Sequence, residues 1–381
     1  MDDLVPAVVF PPGEYLLEIL NDRGWTQIDF AEIIGRSPKL VNEIVNARTS
    51  ISPTTAKEIA AATDTNPRLW LNLENEYRLH HEQDSPSPAI TRHAKLRQKY
   101  PIREMAKRGW IENSPDPVIV ENQVCAFFGV EDIDEQPRLY AHAAKRAGYP
   151  SDIGGAQLAW LFRVRQIAEA MKVRPYSERT LRDALPRLQA LRNSIEDIRH
   201  IPHLLAECGV RLVVVEPMPG SKIDGVTFWL GEGSDKPVIG LSLRLDRIDN
   251  FWFVLAHEIA HVLKKHGQTV AVVDVQTFEP GTSPDAPVSE DEETANAIAA
   301  ELCVSRADMA DFILRNRPLF SHEKVLGFAR RMQVHPGLVV GQLQRALGDY
   351  RAFRKYLVSV RPVVAPVAMT DGYGQVVPLR A

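Results

Sequence analysis

The sequence lacks the features that would place it in several large protein classes. It has three cysteines, Cys125, Cys208 and Cys303, far apart and odd in number. They form neither a disulfide framework nor a paired-cysteine zinc motif, which points to a reducing compartment. Each reads as a small buried hydrophobe. No apolar run approaches the roughly 18–20 residues that span a bilayer. The opening stretch MDDLVPAVVFPPGEY is acidic and has no basic segment ahead of an apolar one, so no secretory leader is expected. There is no internal repeat. Net charge is only −4. The expectation is a soluble, cytoplasmic protein.

No part of the chain is strongly basic either. Residues 1–80 hold seven Lys and Arg against twelve Asp and Glu, a net of −5. Residues 81–200 come to +3 and residues 201–381 to −2. Nucleic-acid binding would therefore depend on a local patch, because phosphate neutralisation supplies most non-specific affinity.

What is present is the composition of a folded protein, 45% hydrophobic and 25% charged. A chain of 381 residues exceeds one ordinary core and predicts two or three domains. The fold class expected is α+β and mostly helical. Residues 81–90 mix Pro, Ser and charge, as a linker does. Residues 91–200 read as Arg-rich helices, including Ala156–Val173. A helix near Ile201–Cys208 precedes three strand-like runs, Val210–Val215, Gly225–Leu230 and Val238–Leu243. Helices follow over Phe251–Lys265, Glu290–Val304 and beyond Glu323. The Pro/Gly/Ser/Thr-rich residues 276–289 predict a surface loop. After Val360 the pattern loses periodicity, and an irregular tail is expected.

His257-Glu258-Ile259-Ala260-His261 lies within the apolar run FWFVLAHEIAHVL. On a helix, residues four apart are about 6 Å apart along the axis and about 40° apart around it. Both imidazoles then face one side and can share a zinc ion. Glu258 emerges about 100° away, beside the metal, where it can take a proton from an acidified water and pass it to the leaving amine. A histidine pair flanking a glutamate inside a buried helix would be costly without a metal or hydrogen-bond partners.

Catalytic zinc usually has three protein ligands. The extended pattern with a third histidine is missing: Lys264 replaces its Gly and Gly267 its last His. His266 falls about 140° away around the helix. Downstream, SEDEETANAIAAELCV has a buried face of Ala295, Ile298, Ala299, Leu302 and Cys303. Glu292 lies near that face, with Asp291 and Glu293 as alternatives. Asn296, one turn on, is placed to orient a ligand histidine or the carboxylate itself. Ser289-x-x-Glu292 also forms a capping box, which needs no metal.

Taken together, DNFWFVLAHEIAH and ETANAIAAEL resemble the ImmA/IrrE-type metallopeptidases over roughly Leu204–Leu347. That family combines a small zincin-like domain, an HExxH helix and an acidic third ligand in an E-x-x-A-N segment. The resemblance implies His257, His261 and Glu292 as zinc ligands and Glu258 as the catalytic residue. It further implies that a strand like 237–242 is the edge on which an extended substrate lies. Ala260 stands where the family more often has Gly. His335, in a segment similar to the family's closing segment, is either a transition-state donor or a turn residue capping a helix.

Upstream, residues 12–62 carry repeated helix-start signals. Thr26 precedes a periodic stretch with Phe30, Ala31 and Ile34, ended by Gly35. Ser37-Pro38 and Ser52-Pro53 open further helices. Leu40, Val41, Ile44 and Val45 form a buried stripe and leave Lys39, Asn42, Glu43 and Asn46 outside. Two short helices around a glycine turn match a DNA-reading unit. The segment from Trp25 to Tyr77 resembles the Cro/C1 (XRE) class, HigA-type antitoxins in particular. The resemblance implies DNA contacts by Gln27, Ser37, Lys39 and Asn42. Glu43 on the same face and the net charge of −5 run against that pattern. A helix-turn-helix used only for dimerisation is the bland alternative.

The expected organisation is a helix-turn-helix domain at 1–80, a helical middle region at 81–200, a zincin-like domain at 201–350 and a tail at 351–381. The leading expectation is a transcription-linked zinc metallopeptidase. It would bind operator DNA through residues 1–80 and cleave a repressor or a toxin–antitoxin component. The rival expectation is a non-proteolytic, HigA-like antitoxin or repressor whose zincin domain is a sensor or scaffold. A homodimer is compatible with both.

Overall fold

The computed structural model describes residues 9–81, 88–139, 149–231, 233–275 and 290–372. Residues 82–87 of the expected linker and the expected loop 276–289 lie outside them. The chain forms two compact units, Met1–Thr91 and Arg92–Ala381.

The first unit has helices Pro12–Asp22, Gln27–Ile33, Pro38–Val45, Pro53–Thr63 and Pro67–His81. The expected start signals are the ones used. Thr26, Ser37 and Ser52 each accept a hydrogen bond from the backbone three residues on, satisfying an N–H that the helix leaves unpaired. Gly35, at φ +66°, adopts the left-handed turn between the second and third helices. A Cβ on Gly13 would sit 2.4 Å from the Ile44 carbonyl oxygen, so the first helix meets the third backbone to backbone. Leu16, Leu20, Phe30, Val41, Ile44, Ile59 and Trp70 close the core.

The second unit is organised by a five-stranded mixed sheet. Its strands are β1 (Arg211–Val215), β2 (Ile223–Leu230), β3 (Lys236–Leu241), β4 (Val272–Val275) and β5 (Met369–Asp371), in the order β4-β2-β3-β1-β5. β1 runs parallel to β3 and β5, while β2 runs antiparallel to β3 and β4. Side chains alternate across the sheet with period two. Leu212, Val214, Ile239 and Leu241 pack with helix Ile248–Leu263, and Val213, Val215, Phe228 and Val238 pack with helix Gly155–Ala170. A Cβ on Gly240 would lie 2.8 Å from Val164, so the second helix sits directly on β3. Trp160 Nε1 fixes its direction by donating to the Val215 carbonyl at 3.0 Å. Among the described residues, no helix is long and apolar enough to cross a membrane.

Two expectations are corrected here. The strand at 237–242 is no edge. β3 lies between β2 and β1, and β4 and β5 are the outer strands among the described residues. The region after Val360 is not irregular throughout, because it holds helix Arg361–Val364 and strand β5. Periodicity cannot reveal a three-residue strand whose partner is about 155 positions away. Asp371 ties that strand down by accepting from Trp110 Nε1 at 3.0 Å and pairing with Arg163. Replacing Asp371→Ala should cost about 2–3 kcal/mol, somewhat less than a fully buried pair because Arg163 is partly exposed. The urea unfolding midpoint measures the loss.

Candidate metal centre

Every residue of helix Ile248–Leu263 is buried. One flank faces the sheet and another faces helix Glu290–Cys303, so its apolar run is covered and the three polar side chains of the motif must find partners inside. His257 Nε2 and His261 Nε2 lie 2.9 Å apart. Glu292 brings Oε2 to 3.2 Å from His257 Nε2 and Oε1 to 3.5 Å from His261 Nε2. A fourth group joins them: Asp274, on β4, places Oδ2 3.0 Å from His257 Nε2. One donor atom from each of these four residues lies within 4.8 Å of the others.

The donor set fits a divalent cation. A proton between the two imidazoles satisfies one pair, yet both carboxylates converge on the same point. Buried charges of like sign in that arrangement are unfavourable without a counter-ion. The electrostatics of the cluster carry the same conflict. Burial disfavours the charged form of His257, but Asp274, Glu292 and Glu258 overcome it and lift its pKa to about 11. His261 is pushed down to about 4 by burial and by the charge on His257. Glu258 is raised well above the carboxylate range by burial and then by Asp274. Asp274 is itself held low, because His257 outweighs its burial.

Glu258 occupies a socket made by β2. Its Oε2 accepts from Thr227 Oγ1 at 2.6 Å, while Oε1 is buried without a hydrogen-bond partner. A Cβ on Gly225 would fall 2.1 Å from that Oε1, so only glycine leaves the carboxylate its place. His261 is braced from behind. Its Nδ1 lies 2.8 Å from His266 Nδ1, and His266 Nε2 lies 3.2 Å from Asp291 Oδ1. A partner on the nitrogen away from the metal fixes ring orientation and tautomer.

Helical spacing pointed His266 away from the site because it assumed that the helix continues. The helix ends at Leu263, Lys265 turns left-handed at φ +59°, and the chain doubles back. The His266 N–H then bonds the His261 carbonyl, and Trp229 Nε1 donates to the His266 carbonyl at 2.7 Å. Asp274 was also missed. Its only trace in the sequence is an isolated acid in the short β-branched run AVVDV.

Of the acids considered for the third position, Glu292 reaches both histidines, Asp291 reaches His266, and Glu293 is exposed. Ser289 of the capping box lies outside the described residues. Asn296 lines a cavity of about 380 Å³ with Phe253, Ala300, Met309 and Arg345, and its Oδ1 is buried without a partner. His335 caps helix Pro336–Leu347, its Nδ1 accepting from the Gly337 N–H at 3.0 Å. The capping role is thus the one seen.

In the first unit, Asn42 Nδ2 donates to Gln27 Oε1 at 3.3 Å, which joins the start of the second helix to the middle of the third. Lys39 is exposed and lies 3.8 Å from Glu43. Ser37 Oγ is engaged as the cap of the third helix.

The first unit is thus a helix-turn-helix, and the second carries the HExxH residues on a fully buried helix. Residues 16–70 match the helix-turn-helix family model. Residues 208–340 match the peptidase M78 model, described as an IrrE N-terminal-like domain. Over 68 residues the chain is 24% identical to the uncharacterized HTH-type transcriptional regulator YddM of Escherichia coli K12, covering 18% of this chain and 72% of that protein. Two solved structures are similar to segments of the chain. One is an antidote protein of a plasmid maintenance system from Nostoc punctiforme, at 32% identity, covering 23% of this chain and 89% of that one, with a TM-score of 0.19. The other is the antitoxin HigA of Pseudomonas aeruginosa with the higBA promoter, at 26% identity, covering 21% and 99%, also with a TM-score of 0.19.

His266→Ala should weaken metal binding about 10- to 100-fold and leave the fold intact, as loss of an outer partner of a ligand histidine does. Competition with a chromophoric chelator, alongside a thermal melt, checks both parts.

Proposed function

We propose that the chain is a DNA-binding regulator whose second unit is a zinc-dependent peptidase acting on a repressor or antitoxin protein. One observation carries the reading: the His257, His261 and Glu292 donors converge beside a fully buried Glu258 whose carboxylate is anchored by Thr227. His257, His261 and Glu292 would hold the ion. When bound, zinc supplies acidification of water to a pKa of about 7 and polarisation of a carbonyl. Thr227 steers the Glu258 carboxylate from the far side, so Oε1 is the atom that takes the proton and returns it to the leaving amine. His266 and Asp291 keep His261 turned toward the ion.

A second reading has support from Asp274. Structural zinc sites have four protein ligands and no open position, and this cluster offers four donors. On that reading the chain is a non-proteolytic, HigA-like repressor with a sensing or scaffolding metal.

Glu258→Gln separates the two. Zinc, at about one ion per chain, should remain bound, and cleavage of the target should fall by about 10²–10⁴-fold. The measurement is the half-life of candidate repressors in cells expressing wild type or variant. Equal regulation by both, with every target uncut, would sink the peptidase reading.

DNA binding is supported by the helix-turn-helix match and by the Gln27–Asn42 amide pair that links the second and third helices. Amide side chains in that position suit adenine edges. Asn42→Ala in the full chain should cost about 1–3 kcal/mol against the preferred site and relax selectivity there. Lys39→Ala should weaken all sequences alike, if modestly, because Glu43 already offsets its charge. Band-shift titrations at two salt concentrations distinguish the pair.

A further inference from the structure

We propose that Asp274 is a fourth protein ligand, which holds the metal centre in a closed state and occupies the position that a reacting water needs. The inference rests on the metal reading of His257, His261 and Glu292, but not on peptide cleavage.

Three observations carry it. First, Asp274 meets the wrong nitrogen for a supporting role. A carboxylate that merely orients a ligand histidine binds the ring nitrogen facing away from the metal. Asp274 Oδ2 instead lies 3.0 Å from His257 Nε2, the nitrogen that also faces His261 and Glu292. His257 Nδ1, where an orienting carboxylate would belong, is buried without a partner.

Second, the strand register delivers Asp274 to the general base. Asp274 pairs with Gly225, the residue whose missing side chain makes room for Glu258 Oε1. Asp274 Oδ2 and Glu258 Oε1 are both buried, and the two carboxylates lie against each other beside His257. A water serving the reaction must touch the ion and Glu258 together, and the Asp274 carboxylate lies against both Glu258 and the donor cluster.

Third, β4 can be withdrawn at modest cost. It is four residues long, pairs only with β2 among the described residues, and has a register shift between Ile223 and Gly225. Val275 is 44% exposed. Edge strands of this kind are low in local stability and are also where extended peptides add to a sheet. A peptide that displaces β4 would remove Asp274 and take its place along β2 in one event.

The test uses the full chain loaded with Co²⁺, and compares wild type with Asp274→Ala and Asp274→Asn. The asparagine variant keeps the side-chain shape if alanine disturbs folding. The probe is acetohydroxamate, which binds only where a coordination position is open. The visible cobalt bands of wild type should be indifferent to it, and those of both variants should shift. Zinc affinity of the variants should fall at least about 10-fold. Wild-type bands that respond as strongly as the variants', or variants that hold zinc as tightly as wild type, would overturn the proposal. If the spectra behave as expected but no variant cleaves any target, Asp274 stands as a ligand and the peptidase reading falls. If no form takes up cobalt, the metal reading itself fails and Asp274 loses its role with it.

Discussion

The second unit depends on the complete burial of one carboxylate. Glu258 is fully enclosed on a helix that is buried along its whole length. Burying such a group is unfavourable, and the surroundings offset part of that penalty. β2 contributes an absent side chain at Gly225 and a hydroxyl at Thr227. Those two positions are two residues apart on one face of one strand. The sheet therefore serves as the floor of the metal centre as well as part of the core. The position of β2 fixes Glu258, and through its pairing with β4 it also fixes Asp274.

The features legible in the sequence were those governed by local rules. Helix caps at Thr26, Ser37 and Ser52 need only a few neighbouring residues, and the structure uses all three. The four-residue spacing of His257 and His261 sets their common face without reference to anything else in the chain. Glu292 was reachable because helical periodicity relates it to Ala295 and Ala299, both buried. Features set by tertiary return of the chain were not legible. His266 reaches His261 because the helix stops and Lys265 reverses direction. Asp274 matters because β4 pairs with β2 in one register and not another. The strand at 237–242 reads the same from sequence whether it is central or outermost, since alternation says nothing of the neighbours on either side.

The first unit solves a different problem. Its net charge is negative, and three of its few cations are paired with acids, Arg36 with Glu58, Lys39 with Glu43 and Arg78 with Glu74. A surface of this kind offers little general attraction to phosphates. Its first and third helices are in backbone contact at Gly13.

The position of β5 sets an order of events during synthesis. It is the last described strand, yet it pairs with β1, the first strand of the sheet. The helix-turn-helix is complete by His81, whereas the sheet waits for Asp371. At about 5–20 residues per second the intervening chain takes about 15–60 s to emerge. During that interval a nascent chain presents a finished N-terminal unit tethered to an unfinished sheet. A chain cut short before β5 would carry the finished first unit and an incomplete sheet.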